Sequence, residues 1–111
     1  MKPVTVVILC GGEGLRLRPL TKEIPKPLVK VNNRPILSYI VDNLISSGFN
    51  NIIFATGYLS SKIENYINLK KISTSINYSI IDSGNIDIVS RLYICSREIA
   101  GDMIVLYGDT I

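Results

Sequence analysis

The sequence predicts an α/β fold: a Rossmann-like parallel sheet with helices on both faces, in a three-layer sandwich. Short apolar runs rich in β-branched residues alternate with segments of helical periodicity, a pattern typical of strand–helix–strand units. The 111 residues leave room for one domain, so we treat residues 1–111 as a single unit. With 47% hydrophobic residues and a mean hydropathy of +0.31, the chain can form a packed core.

The first strand is predicted over Val4–Cys10, an almost continuous apolar run that ends abruptly at glycines. Such a run is expected of a central parallel strand buried on both faces. The stretch from Gly11 to Pro35 is basic and contains four prolines, which disfavour a long helix. A helix is predicted next over Ile36–Ser47, with Gly48 placed to end it and an apolar face formed by Ile36, Leu37, Ile40, Val41, Leu44 and Ile45.

The second half of the chain continues the alternation of strands and helices. Strands are predicted over Asn51–Thr56, Ile76–Ile81 and Met103–Tyr107, and helices over Ser60–Asn68 and Ile86–Ile99. In the last helix, one apolar stripe is expected from Ile88, Leu92, Cys95 and Ile99. Ligands of open parallel sheets bind beyond the carboxyl ends of the strands. The glycine loop after the first strand and Asp109 after the fourth are both expected at that edge.

Composition excludes several kinds of site. The chain has no His, which removes Ser–His and Cys–His catalytic pairs and HExxH zinc sites. Cys10 and Cys95 lack metal-ligand spacing and are interpreted as small buried residues in a reducing compartment, with one long-range disulfide left open. No apolar run approaches the ~20 residues needed to span a bilayer. We therefore expect a cytoplasmic protein with no membrane partner.

Positive charge is concentrated in one segment. Six of the 12 Lys and Arg residues fall within residues 16–34, where Glu23 is the one acid. The net charge of +3 is too small to indicate a nucleic-acid partner. Taken alone, such a cluster is typical of a solvated surface, and its position directly after a glycine loop is what makes it a candidate for binding.

The glycine loop differs from two familiar phosphate-binding patterns. The P-loop pattern is absent, and the dinucleotide fingerprint matches at Gly12 and Gly14 but has Leu17 where its third glycine belongs. An NAD-dependent oxidoreductase is therefore disfavoured. Glycines directly after a buried strand still allow backbone N–H groups to approach a polyanion closely.

The residues after these glycines carry a longer pattern. Residues 11–21 read Gly-Gly-Glu-Gly-Leu-Arg-Leu-Arg-Pro-Leu-Thr, and residues 25–27 read Pro-Lys-Pro. This series resembles the opening signature of the sugar-phosphate nucleotidylyltransferases, Gly-Gly-x-Gly-Thr-Arg-Leu-x-Pro-Leu-Thr followed by Pro-Lys-Pro. The resemblance covers the whole chain and is most specific over residues 4–37 and 103–110.

The resemblance implies an enzyme in which an oxygen of a sugar 1-phosphate, or a related phosphate, attacks the α-phosphorus of a nucleoside triphosphate. Pyrophosphate leaves, and the product is a precursor of surface polysaccharide. Matching motifs imply that Arg16 and Lys26 are catalytic cations and that Asp109 binds Mg²⁺. Implied nucleotide contacts are Cys10, Gly11, Gly12, Glu13 and Gly14 in the glycine loop, Ser83 and Gly84 near the base, and Arg91 near phosphate.

Other interpretations of single residues remain open. Asp109 alone is also compatible with a turn residue after a strand, and Arg91 with an exposed helix residue. Leu15 stands where the family has a threonine, so a hydroxyl contact is lost there. Residues 82–92 look more like the Asp-Thr-Gly…Arg-Leu stretch of glucose-1-phosphate cytidylyltransferases, which favours CTP.

Chain length is the largest departure from the family. Its catalytic domains are longer, so we expect residues 1–111 to be the N-terminal, nucleotide-binding part of an apparently truncated nucleotidylyltransferase domain. The fourth strand would then be an open edge, and the chain would form a homo-oligomer or lack a C-terminal half. The alternative function is a non-catalytic nucleotide-binding or regulatory module.

Overall fold

The computed structural model describes residues 3–13, 18–70 and 76–109. Within these ranges the chain forms six strands and three helices, and two single turns of 3-10 helix at Leu20–Lys22 and Lys26–Leu28. In chain order the strands and helices are β1 (Val4–Leu9), β2 (Lys30–Val31), β3 (Arg34–Pro35), α1 (Ile36–Ser46), β4 (Asn51–Thr56), α2 (Ser60–Lys70), β5 (Asn77–Asp82), α3 (Ile88–Ser96) and β6 (Asp102–Tyr107).

The four long strands form one parallel sheet in the order β5–β4–β1–β6. β1 is an inner strand, in which Leu9 pairs with Ala55 of β4 on one side and with Tyr107 of β6 on the other. Thr56 of β4 pairs with Asp82 of β5. All four strands run in the same direction and end level with one another. Their carboxyl ends therefore form a single edge, as the sequence predicted.

A hydrophobic cluster on each face of the sheet confirms the three layers. On one face, α1 and α2 pack against Val6 and Ile8 of β1 and Phe54 of β4. On the other face, α3 packs through Cys95 against a second cluster that includes Val7. Alternate residues of β1 thus point to opposite layers, which is why this strand reads as a continuous apolar run.

Helix α1 follows the sequence prediction closely. Its predicted apolar face is buried except at Ile45, which packs against the cluster from a partly buried position. The helix ends before Gly48, which adopts a φ of +87° and donates its N–H to the carbonyl of Ile45 at 3.0 Å. Glycine reaches this left-handed conformation without steric cost, so it ends the helix as expected.

Helix α3 differs from the prediction. It begins at Ile88 because Asp87 caps it, accepting a hydrogen bond from the backbone N–H of Ser90 at 2.8 Å. Ile88 was expected in the core but is 50% exposed, whereas Arg91 and Cys95 are the buried residues of this helix. Arg91, one helical turn after Ile88, contacts Gly84 and Ile86, which follow strand β5. Ile88 lies one turn farther out and is therefore beyond the carboxyl ends of the strands.

A small antiparallel hairpin within the basic segment was not predicted. β2 and β3 are joined by Asn32 and Asn33, which both have positive φ, at 52° and 65°. Two successive positive φ values are the geometry of the tight turn that matches the twist of paired strands. The Tyr39 hydroxyl on α1 donates to the carbonyl of Val31 at 2.7 Å and holds the hairpin against that helix.

The outer strand β6 is the most exposed part of the apolar sheet. Met103, Ile104 and Val105 are 36–38% exposed, so neither layer of helices covers this strand fully. β6 is also an edge strand among the described residues, because β1 is its one partner in the sheet. None of the described helices combines the length and hydropathy of a membrane-spanning segment.

The two cysteines are free and lie on opposite faces of the sheet. Cys10 belongs to the cluster under α1 and α2, and Cys95 to the cluster under α3. The disulfide that the sequence left open is therefore not formed. The pKa of Cys10 is raised to about 12, chiefly by burial and in addition by the negative charge of Asp109, while the positive charge of Arg91 opposes the rise. Burial also raises the pKa of Cys95.

We expect both thiols to react slowly with Ellman's reagent in the native protein at pH 8. A raised pKa favours the neutral thiol, and the thiolate is the reactive form. The rate should increase as the pH approaches the pKa of each thiol and should become fast for both thiols in denaturant. Rapid reaction of either native thiol at pH 8 would contradict this burial.

Candidate functional site

The segments that follow the strands are hydrogen-bonded to one another along the carboxyl edge of the sheet. The N–H of Gly108, after β6, donates to the carbonyl of Leu9 at 2.8 Å. The N–H of Ser83, after β5, donates to the carbonyl of Thr56 at 3.1 Å. These bonds continue the ladder past the strands and fix the loops where a ligand of such a sheet binds.

Two of the charged residues singled out in the sequence meet at this edge. The Lys26 Nζ and the Asp109 Oδ2 are 3.1 Å apart, and their side chains are 34% and 30% exposed. Lys26 comes from the irregular basic segment and Asp109 from the turn after β6. The fold therefore forms an ion pair from residues far apart in sequence and leaves it accessible to solvent.

Gly108 keeps Asp109 close to the start of the glycine loop. A Cβ at this position would lie 2.8 Å from the carbonyl oxygen of Leu9 and 2.9 Å from the Cys10 Sγ. Contacts this short to backbone and to a buried side chain cannot be relieved without moving β6 away from β1. The absence of a side chain at Gly108 thus sets how closely the two strand ends approach.

Arg91 is buried beneath the glycine loop, with 5% of its surface exposed. Its Nη2 donates to the carbonyls of Gly84 at 2.9 Å and Ile86 at 3.1 Å. A Cβ at Gly11 would lie 1.0 Å from the Arg91 Nη1, so the guanidinium occupies the space that any side chain there would need. The interpretation of Arg91 as an exposed helix residue is therefore wrong.

Backbone carbonyl oxygens accept hydrogen bonds from Arg91 but do not neutralise its charge. Among the ion pairs between described residues, none includes Arg91, and its Nε is buried without a hydrogen-bond partner. A buried cation of this kind keeps a positive potential in its surroundings, because little water is present to screen it. This potential acts under Gly11, where the sequence predicted a polyanion.

A cavity of about 160 Å³ opens beside this guanidinium. Its lining includes the predicted residues Glu13 and Gly84, together with Gly57, Tyr58 and Asn85. A larger groove of about 440 Å³ lies at the opposite end of the sheet, against the first residues of β4 and β5. None of the predicted site residues lines that groove, so the smaller cavity is the better candidate.

The remaining predicted residues have varied surroundings. Glu13 forms an exposed ion pair with Arg18 at 3.1 Å, and open space surrounds the Cα of Gly12. The side chain of Cys10 is buried, and its backbone N–H donates to the carbonyl of Ala55 at 2.8 Å. Gly14 and Arg16 lie outside the described residues.

Gly57, Tyr58 and Asn85 are the cavity residues that sequence reasoning missed. All three follow a strand directly or within a few residues, at the edge where ligands are expected. The rule applied to Gly11 and Asp109 could have found them, had it been extended to the segments after β4 and β5. Their residue types alone carry no such signal.

Asp109 is the carboxylate that the structure places beside Lys26 at this edge. Among the described residues no group of three or more His, Cys, Asp or Glu side chains is arranged to hold a metal ion. Mg²⁺ at phosphate-binding sites is commonly held by one or two carboxylates together with phosphate oxygens and water. Asp109 fits that donor set, with a phosphorylated ligand providing the other oxygens.

Comparison with known proteins identifies relatives over almost the whole chain. A heptose 1-phosphate guanylyltransferase (D-glycero-alpha-D-manno form) of Aneurinibacillus thermoaerophilus is 35% identical over 107 residues, covering 95% of this chain and 46% of that protein. The CTP:phosphoglutamine cytidylyltransferase of Campylobacter jejuni is 31% identical, covering 97% of this chain and 44% of that protein. The chain therefore spans a little under half the length of these curated relatives.

Solved structures agree with this result. The CTP:phosphocholine cytidylyltransferase of Streptococcus pneumoniae superimposes with a TM-score of 0.76 at 32% identity. The match covers 98% of this chain and 46% of that one. Residues 5–111 also match the sequence model of the family described as Nucleotidyl transferase. This chain, with its glycine loop and its Lys26–Asp109 pair on one edge of a parallel sheet, belongs to the nucleotidyl transferase family.

Proposed function

We propose that this chain is the nucleotide-binding part of a nucleotidylyltransferase that joins a nucleoside triphosphate to a sugar 1-phosphate or related phosphate ester. An oxygen of the acceptor phosphate forms a bond to the α-phosphorus, and the bond from that phosphorus to the bridging oxygen breaks. The electron pair leaves with pyrophosphate. The observation that carries the proposal is the 3.1 Å pairing of Lys26 with Asp109 beside the glycine loop.

Phosphoryl transfer of this type depends mainly on positioning and on compensation of negative charge. Lys26, one-third exposed, can exchange Asp109 for a phosphate oxygen and bind it as a point charge. Gly11 and Gly12 would present backbone N–H groups to the same phosphates, and the buried charge of Arg91 would strengthen this attraction from below. Arg16 is assigned to the β- and γ-phosphates through its family motif.

Asp109 is proposed as the carboxylate that holds Mg²⁺. When bound, magnesium would neutralise part of the phosphate charge and orient the triphosphate. Asp109 would provide one oxygen ligand, and its distance from Lys26 lets the two residues share one phosphate chain between them.

The nucleobase is proposed to bind in the 160 Å³ cavity, which Gly84 lines, with Ser83 next to Gly84 in the chain. The Gly84 carbonyl accepts a hydrogen bond from Arg91, and the Gly84 N–H donates to the Asp82 Oδ1 at 2.9 Å. Both backbone polar groups of Gly84 are therefore already hydrogen-bonded within the protein. CTP is the proposed nucleotide, a choice supported by the two relatives whose names include CTP. GTP is the comparison, since the Aneurinibacillus relative is named a guanylyltransferase.

The proposal is tested by mixing the protein with Mg²⁺, each nucleoside triphosphate and a panel of sugar 1-phosphates, and by measuring pyrophosphate release. Release that requires one nucleotide and one acceptor supports an enzyme and identifies both substrates. The alternative, a non-catalytic nucleotide-binding module, rests on the chain spanning under half the length of its relatives. Thermal stabilisation by a nucleotide without pyrophosphate release from any combination would favour the module.

Replacing Lys26 by Ala should lower kcat/KM for pyrophosphate release, because one cation facing the phosphates is lost. The decrease should correspond to a loss of about 2–4 kcal/mol of transition-state stabilisation. Arg16→Ala is expected to have an effect of similar size. Lys30→Ala, which removes the same charge from the exposed strand β2, is the matched control and should change the rate little. Wild-type activity in Lys26→Ala would contradict the assigned role.

Replacing Asp109 by Asn should raise the Mg²⁺ concentration required for half-maximal nucleotide binding. The substitution keeps the size of the side chain but removes the charge that a hard cation prefers. A metal titration followed by calorimetry measures this without requiring turnover. Asp102→Asn, at the exposed start of β6, the strand that precedes Asp109, is the control. If the Asp109→Asn titration overlays the wild-type curve, Asp109 is not the ligand.

A further inference from the structure

The segment that carries Lys26 has little regular structure of its own. Between the described residues Arg18 and Val29 it contains two single 3-10 turns, and neither has a side-chain cap. Yet Thr21 and Pro25 are fully buried, so its path over the sheet is well defined. Some other part of the fold must hold this backbone in place.

Side chains from the start of α2 and the connection before it provide that hold. The Tyr58 hydroxyl donates to the Thr21 carbonyl at 2.7 Å and lies 3.3 Å from the Lys22 carbonyl. The Lys62 Nζ donates to the next carbonyl, that of Glu23. Three successive backbone oxygens of the basic segment are thereby bonded to one short stretch of chain.

The same stretch is attached to the glycine loop and to the sheet. The N–H of Tyr58 donates to the carbonyl of Gly11 at 3.3 Å. The hydroxyls of Thr56 and Ser60 lie 2.6 Å apart in a buried hydrogen bond, which ties the end of β4 to the first turn of α2. Tyr58 thus contacts the glycine loop through its backbone and the basic segment through its side chain.

The turn adopts a conformation that its sequence does not favour. Leu59 has a φ of +52°, in the left-handed region that residues with a Cβ seldom adopt. Backbone strain of this kind persists only where surrounding contacts impose it, and it is concentrated near functional sites. Here the strained residue directly follows the tyrosine that bridges the two phosphate-facing segments.

We propose that Tyr58 is a positioning residue that sets the distance between the glycine loop and Lys26. The inference rests on the proposed function, since it assigns Lys26 to the phosphates. Tyr58 would act through Lys26 and would not itself touch the triphosphate. Because Tyr58 also lines the neighbouring cavity, removing only its hydroxyl, which bonds the Thr21 carbonyl, is the change that isolates the positioning role.

The test compares two tyrosine-to-phenylalanine variants. Tyr58→Phe removes the bond to Thr21, whereas Tyr39→Phe removes an equally short 2.7 Å bond from a tyrosine to the carbonyl of Val31 in the β2–β3 hairpin. The affinities for CTP and for GTP, each with Mg²⁺, are measured by calorimetry together with the melting temperature. We expect Tyr58→Phe to weaken binding about 5- to 10-fold and Tyr39→Phe less than about 2-fold, with similar losses in melting temperature.

A double-mutant cycle with Lys26→Met separates positioning from general destabilisation. If Tyr58 acts through Lys26, adding Tyr58→Phe to Lys26→Met should weaken binding less than about 2-fold further. An undiminished effect in that background, or equal effects of the two tyrosine variants, overturns the inference. Should Lys26→Met itself leave the affinity unchanged, the proposed function fails instead. Lys62→Met, which removes the adjacent bond to Glu23, is a second probe if Tyr58→Phe does not fold.

Discussion

Parallel pairing of β1 with both β4 and β6 determines where the start of the glycine loop, the turn after β4 and Asp109 lie. Because Leu9 has a partner on each side, the three strands end at one level, and the residues after them converge. The glycine loop, the Gly57–Tyr58 turn and Asp109 are neighbours for this reason. A shift of β6 by one residue along β1 would move Asp109 off the edge and place the core side chains of β6 on the wrong face.

The buried guanidinium of Arg91 explains features that would otherwise look unrelated. It fills the space next to Gly11, holds the carbonyls of Gly84 and Ile86, and lies beside the candidate cavity. The Arg91 side chain occupies the volume that a side chain at residue 11 would otherwise fill. The loop can then remain open toward solvent while the layer beneath it is closed.

The strands and the edge at which they end could be predicted from sequence because both depend on local pattern. Continuous apolar runs ending at glycine or aspartate identify the strands, and parallel sheets place such endings together. The burial of Arg91 could not be predicted in this way, since the space for it is left by Gly11, which lies far from Arg91 in the sequence. The Tyr58 contact was likewise hidden, because the segment it holds has no periodicity from which to infer a path.

Because Lys26 and Asp109 already neutralise each other, a ligand entering this site does not meet bare charges. On the proposed function, a phosphate that binds Lys26 would displace a carboxylate, and a divalent cation that binds Asp109 would displace an ammonium group. Each exchange alone would leave one member of the pair without its counterion, whereas the two together would leave none. The pair would therefore favour entry of the metal and the polyanion together over entry of either one alone.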